Sequence, residues 1–140
     1  MWLLIATCVL LTSTPYHLRG QVPATDQSGQ LNPSIPPAQA EKFKSIRDAK
    51  DWANPYLAVH RDAIEVVSKA TSSRKRVSLA DLQQTLIDLP TSAWPYGRVA
   101  AVQVLGLHAP GDEKPLKELT HAVENALKRL RIKVERWPSS

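Results

Sequence analysis

The chain has 140 residues, of which 43% are hydrophobic and 22% are charged, and its formal net charge is +5. This length and composition predict a single globular domain with a tail. The one cysteine, Cys8, lies in an N-terminal apolar run. The rest of the chain therefore cannot supply a disulfide framework, a CxxC redox motif, a zinc ribbon or a cysteine nucleophile.

The N-terminal apolar run, residues 2–11, reads WLLIATCVLL. A helix needs about 20 apolar residues to span a bilayer, whereas the apolar core of a secretory signal is shorter. We expect residues 1–20 to be a signal peptide or signal-like segment, and the protein to be exported to the periplasm or the extracellular space. Because no Lys or Arg precedes the run, two alternatives stay open: a retained membrane tether, and a short apolar N-terminus that frays or packs on the domain.

The next segment, residues 21–39, is rich in Gln, Pro and Ser and has few large apolar side chains. It is predicted to be a disordered linker, and the single domain is therefore placed at residues 40–140. A short helix is predicted over residues 38–52 from Phe43, Ile46 and Trp52, because the Asn54-Pro55 pair ends a helix.

Residues 56–67 alternate between apolar and polar side chains on either side of a turn at 61–63, which predicts a β-hairpin. A short strand is expected at residues 75–77. Ser78 with Asp81 forms a capping-box pattern that begins a helix of residues 79–89.

An apolar strand is predicted at residues 98–108, after the loop Trp94-Pro95-Tyr96-Gly97. It is apolar on both faces, which is typical of an interior strand, and its Gln103 needs hydrogen-bond partners. We expect Trp94 and Tyr96 to meet Trp52 or Tyr56 in one buried aromatic cluster, with Trp137 at the opposite end of the domain. An exposed aromatic platform for a sugar or a peptide is the alternative.

The clearest helix follows Asp112, which we expect to cap it. Its apolar stripe consists of Leu116, Leu119, Val123, Ala126, Leu127 and Leu130. A final strand over 132–136 completes an α+β fold: two layers, one mixed sheet of about four to five strands, two main helices packed on it, and a short N-terminal helix.

Residues 57–137 resemble the periplasmic domain of the biopolymer-transport proteins ExbD and TolR. The likeness is carried by the hairpin with an aspartate in its turn, the first helix and the buried strand: Val59, Asp62, Ile64, Val66, Val77, Leu82, Leu86 and residues 99–107. It implies a periplasmic domain that forms a homodimer and couples inner-membrane proton flow to work at the outer membrane. That family has a transmembrane helix with an essential aspartate, whereas no acidic residue precedes Asp26 here, so no functional residue is carried over. We also expect the chain to belong to a family of small exported bacterial proteins.

The sequence contains no GxGxxG, P-loop, HExxH, GxSxG or EF-hand pattern, so no catalytic, cofactor-binding or metal-binding residue is predicted. The carboxyl end of the apolar strand remains of interest, because ligands bind there in open α/β sheets and helix N-termini attract anions. We name His108, Asp112 and Trp137 as candidate ligand or interaction residues. Alternatively, His108 simply leaves the strand and Asp112 is only a cap.

These patterns favour an exported, non-enzymatic interaction or envelope-associated domain that needs no cofactor and binds an unknown protein or an envelope component. The alternative is a small hydrolase or ligand-binding protein with a site near His108 and Asp112. Nucleic-acid binding through the basic residues 74–76 is a third hypothesis, and the predicted export argues against it.

Overall fold

The computed structural model describes residues 29–106 and 110–139, and these form one α+β domain, as the sequence predicts. The strands are β1 (Tyr56–Val59), β2 (Ile64–Ser68), β3 (Ser73–Val77), β4 (Val99–Val104) and β5 (Lys133–Arg136). The helices are α1 (Ala40–Phe43), α2 (Leu79–Ile87) and α3 (Glu113–Arg129), with 3-10 turns at Ala49–Asp51 and Thr91–Ala93. Among the described residues, no helix is both long and apolar enough to cross a bilayer.

The five strands form one mixed sheet in the order β3-β2-β1-β4-β5. The first three strands are antiparallel neighbours, whereas β4 runs parallel to both β1 and β5. The chain therefore crosses over between β3 and β4 through α2, and between β4 and β5 through α3. Because β1, β4 and β5 are parallel, their carboxyl ends lie together at the same end of the sheet.

The predicted hairpin is confirmed, and its register explains the alternating pattern. Leu57 pairs with Val66, and Val59 pairs with Ile64. All four side chains are buried on the same face of the sheet, because side chains of a strand point to opposite faces in turn.

Helices α2 and α3 cover this face. The predicted cap of α2 is confirmed, since Ser78 Oγ accepts a hydrogen bond from the Asp81 N–H at 3.2 Å. Helix α3 buries the stripe that its sequence predicts, with Val123 and Leu127 fully inaccessible to solvent. The two helices and the sheet face thus enclose the main hydrophobic core.

The opposite face of the sheet carries a second, smaller core, which we call the aromatic layer: Phe43, Trp52, Tyr56, Tyr96 and Trp137. Successive rings lie close together, with centroid separations of 5.7 Å for Phe43–Trp52, 5.3 Å for Trp52–Tyr96 and 5.7 Å for Trp52–Trp137. Edge-to-face contacts at such distances stabilise a core beyond the area that they bury.

The aromatic prediction is therefore right for Tyr96 and wrong for two tryptophans. Trp94 is buried as expected, but it packs in the main core on the helical face. Trp137 lies against Trp52 and Tyr56 instead of at the opposite end. The reason is the register of β5, in which Arg136 pairs with Val102 and faces the helices, so the next residue, Trp137, faces the aromatic layer.

The boundary predicted at residue 40 is also wrong, because the domain begins earlier in the chain. Leu31 and Ile35 are only 4% and 1% exposed and belong to the main core. Residues 31–39 are thus part of the domain and not a disordered linker. The predicted signal-like segment and residues 21–28 of the predicted linker lie outside the described residues.

The predicted helix of residues 38–52 is present only as two short pieces. Helix α1 ends at Phe43, and a 3-10 turn capped by Asp48 follows at Ala49–Asp51. The interruption lets Phe43 and Trp52 pack edge to face within one layer, although nine positions apart on a continuous helix they would lie on different sides.

Gly97 allows the N-terminal segment to approach the start of β4. Its φ is +77°, and a Cβ atom there would lie 2.2 Å from the backbone oxygen of Pro37. The adjacent Arg98 N–H donates to the Pro36 oxygen at 2.9 Å, so this contact is a tight backbone-to-backbone junction.

We predict that Gly97→Ala lowers the free energy of unfolding by about 3 kcal/mol or more, because a backbone clash is added to a strained dihedral. Gly106→Ala is the matched control, because its φ is +81° but its Cβ would meet no atom of residues 29–106 and 110–139 within 4 Å. The control should cost only the strain of a left-handed residue, about 1–2 kcal/mol. Equal losses in denaturant melts of the two variants would contradict the junction.

Candidate functional site

A groove lies at the carboxyl ends of β4 and β5, beside the first half of α3. It has a volume of about 500 Å³ and is lined by Val102, Val104, Glu113, Lys117, Thr120, His121, Glu124, Arg136, Trp137 and Ser139. We call it the α3–β4 groove. Val102 and Val104 form an apolar floor, because both point to the helical face of the sheet. Val102 pairs with Arg136, the last residue of β5, and Val104 lies beyond the end of that strand.

Charged side chains surround this floor, and two of them are paired. Arg136 Nε and Nη2 donate to the two carboxylate oxygens of Glu124 at 2.7 and 2.8 Å. This bidentate pair raises the pKa of the Arg136 guanidinium and fixes β5 against α3. Lys117 and His121 are exposed on the neighbouring turns of α3.

One hydroxyl group in the groove, that of Thr120, already has a hydrogen-bond partner within α3. Thr120 Oγ1 donates to the Leu116 carbonyl at 2.6 Å, one turn earlier in α3. The groove thus combines an apolar floor, an aromatic wall and a mixed-charge rim. That combination suits binding of an apolar group flanked by polar atoms.

Trp137 forms the aromatic wall, and the aromatic layer holds it in place. Its ring packs against Trp52 and Tyr56, while the following Pro138 oxygen accepts a hydrogen bond from Gln103 Nε2 at 2.8 Å. The Tyr56 hydroxyl donates to Gln103 Oε1, so the expectation that Gln103 has hydrogen-bond partners is confirmed. Burial is the main cause of the raised pKa of the Tyr56 hydroxyl, which keeps this donor protonated at neutral pH.

The structure places the three candidate residues in different settings. Trp137 lines the groove. Asp112 is buried and occupies the predicted N-cap position of α3, but its side chain makes no capping hydrogen bond and instead pairs with Arg61 in the β1–β2 turn at 2.9 Å. This ion pair connects the start of α3 to the β1–β2 hairpin, so the carboxylate of Asp112 already has a partner. His108 lies outside the described residues.

The sequence did not single out the other residues of the groove. Val102 and Val104 look like any residues of a buried strand, and only the path of α3 across the sheet leaves Val104 half exposed. Lys117 and His121 read as an ordinary solvated helix face. No sequence pattern links these positions, because a groove arises from the placement of whole elements.

Two of the three basic residues of β3 pair with acidic neighbours. Arg74 lies 3.4 Å from Glu65, and Arg76 lies 3.0 Å from Asp62. These pairs reduce the positive potential that a nucleic acid would require. Within residues 29–106 and 110–139, no three His, Cys, Asp or Glu side chains come together in a way that could hold a metal ion.

Comparisons of the chain with protein-family models, with curated proteins and with solved structures find no match.

Proposed function

We propose that this protein is an exported, non-catalytic interaction domain that binds an extended segment of a partner protein in the α3–β4 groove. The observation that carries the proposal is the composition of the groove: a valine floor, the half-buried Trp137 wall and a charged rim in a volume of about 500 Å³. Such a groove accepts a large apolar side chain and hydrogen-bonds or pairs with the polar groups on either side of it.

The neighbouring edge of the sheet favours an extended peptide over a small ligand. Lys133 and Trp137 direct their backbone N–H groups toward β4. The backbone N–H groups of successive residues in a strand point in alternating directions. Val134 and Arg136 therefore direct their N–H groups away from β4, toward the open side of β5. A partner segment could therefore pair with β5 as an added strand.

A smaller groove continues along this edge and would receive the next side chains of such a segment. It has a volume of about 250 Å³ and is lined by Glu124, Asn125, Lys128, Ile132 and Val134. Glu124 borders both grooves, so one segment lying along β5 would reach both of them.

The short apolar run at residues 2–11 supports the proposed export, and the absence of cysteine after Cys8 is compatible with an oxidising compartment. We predict that the chain recovered from its source cells lies in an exported fraction and begins between Pro15 and Thr25. N-terminal sequencing measures this. Recovery of the chain with Met1 intact from the soluble cytosolic fraction would rule out cleaved export.

To test the groove, we would select peptides from a random display library on the purified full chain and measure their affinities by calorimetry. The selected peptides should share a large apolar residue, and Val104→Asp should weaken their binding about tenfold or more, because it places a charge in the apolar floor. Leu79→Asp is the control, because Leu79 is a large apolar residue that is 40% exposed on α2, away from the groove.

The proposal requires the peptide affinity to depend on the groove and not on nonspecific hydrophobic adsorption to the protein surface. Equal binding to wild type and to Val104→Asp, or equal weakening by Leu79→Asp, would contradict it. Thermal unfolding of both variants shows whether each remains folded at the temperature of the binding experiment.

A further inference from the structure

Three arginines from two parts of the fold border one groove at the amino ends of β4 and β5, where the chain enters β4 and leaves α3. The groove has a volume of about 300 Å³ and is lined by Gln30, Leu31, Pro33, Arg98, Arg129, Leu130 and Arg131. We call it the arginine groove. It shares no lining residue with the α3–β4 groove.

The charges of these three arginines are not neutralised within the described part of the chain. Four other arginines each pair with an aspartate or a glutamate: Arg61, Arg74, Arg76 and Arg136. Among residues 29–106 and 110–139, Arg98, Arg129 and Arg131 form no such pair. Like charges gathered in one groove repel one another, and an anion bound between them relieves that repulsion.

Arg98 is held in a fixed position, which favours binding. Its backbone N–H donates to the Pro36 oxygen at 2.9 Å, and its own oxygen accepts from the Lys133 N–H at 2.8 Å. Its side-chain Nε donates to the Ile35 oxygen at 2.9 Å. Because only Nε is used, the two terminal nitrogens of this half-buried guanidinium remain available to a ligand.

Arg131 occupies a position that usually belongs to glycine. It follows the last turn of α3 with a φ of +58°, and the backbone bonds from the Arg131 N–H to the Lys128 oxygen and from the Ile132 N–H to the Leu127 oxygen define a Schellman motif. These two carbonyls already have backbone donors, so they do not require the arginine side chains as partners. The fold therefore tolerates arginine at this position without needing its charge.

We propose that the arginine groove binds a phosphate group, either that of a small soluble phosphate compound or that of a lipid headgroup. The planar fork of an arginine presents paired N–H donors that match two oxygens of a phosphate. Leu31 and Leu130 are each 4% exposed and form an apolar wall that limits solvent screening beside the charges. The groove is larger than one phosphate ion and leaves space for the group to which the phosphate is esterified.

The first arm of the test titrates inorganic phosphate into the isotope-labelled full chain at constant ionic strength and follows it by NMR. The Nε–H signals of Arg98, Arg129 and Arg131 should shift together along one saturable curve. Arg131→Gly should weaken binding about tenfold, the usual effect of removing a charged hydrogen-bond donor. Because glycine adopts a positive φ without strain, this variant should unfold at the same temperature as the wild type or a higher one.

Arg74→Gln is the matched control, since it removes one exposed arginine outside the groove. Its phosphate affinity should stay within about twofold of the wild type, a change too small to reflect a lost direct contact.

The second arm of the test measures how much of the protein sediments with vesicles of phosphatidylglycerol and how much sediments with vesicles of phosphatidylcholine. Loss of phosphatidylglycerol binding in Arg131→Gly but not in Arg74→Gln identifies a lipid headgroup as the ligand. Binding of phosphate without such an effect on vesicles identifies a soluble phosphate compound.

The proposal fails if phosphate does not shift the three arginine signals and vesicle binding does not depend on Arg131. It also fails if Arg74→Gln weakens either kind of binding as much as Arg131→Gly does, because the attraction would then be a general effect of net charge.

Discussion

The side chain of Asn54, which lies just before β1, binds the loop that leads into β4. The arrangement of the aromatic layer depends on these hydrogen bonds. Asn54 Nδ2 donates to the Gly97 oxygen at 2.8 Å and to the Val99 oxygen at 2.7 Å, and its Oδ1 accepts from the Tyr96 N–H at 2.8 Å. Asn54 is 1% exposed, so water cannot replace these bonds. Each buried backbone group left without a partner costs about 1–3 kcal/mol.

Two sets of contacts depend on the loop that Asn54 holds: those of the aromatic layer and those of the N-terminal segment. Tyr96 is fixed beside Trp52, which places the aromatic layer on β4 and brings Trp137 against it. The loop that Asn54 holds also receives the N-terminal segment, through the bond from the Gln39 N–H to the Tyr96 oxygen at 2.9 Å. The same residue thus supports the wall of the α3–β4 groove at the carboxyl ends of β4 and β5 and the segment that borders the arginine groove at their amino ends.

Local patterns in the sequence predicted the elements that local interactions determine. The hairpin of Leu57, Val59, Ile64 and Val66 follows from alternation, and the start of α2 follows from Ser78 and Asp81. The final helix follows from its leucine stripe, and together these patterns were sufficient for the α+β class. The helix expected over residues 38–52 failed because packing of Phe43 on Trp52 overrides a weak helical pattern.

The errors concern relations between distant parts of the chain. Trp94 and Tyr96 lie two positions apart but enter different cores, because the 3-10 turn at Thr91–Ala93 directs Trp94 beneath the helices. Placing Trp137 requires the order and register of β4 and β5, which no short stretch encodes. Asp112 stands at the predicted N-cap position, but its side-chain partner, Arg61, lies in a turn that is remote in sequence and could not be predicted from the local pattern. Grooves are harder still to predict, since they depend on where helices leave a sheet uncovered.

The claim that Asn54 holds the N-terminal segment and the 94–99 loop to the sheet is tested most directly by native-state hydrogen exchange of Asn54→Ala. The amides of Gln39, Tyr96 and Arg98 should lose protection by at least about tenfold more than the amides of β2, because the segment and the loop would open without unfolding of the hairpin. If those three amides keep their wild-type protection, or if all amides of the domain lose protection equally, then Asn54 is not the residue that holds these parts together.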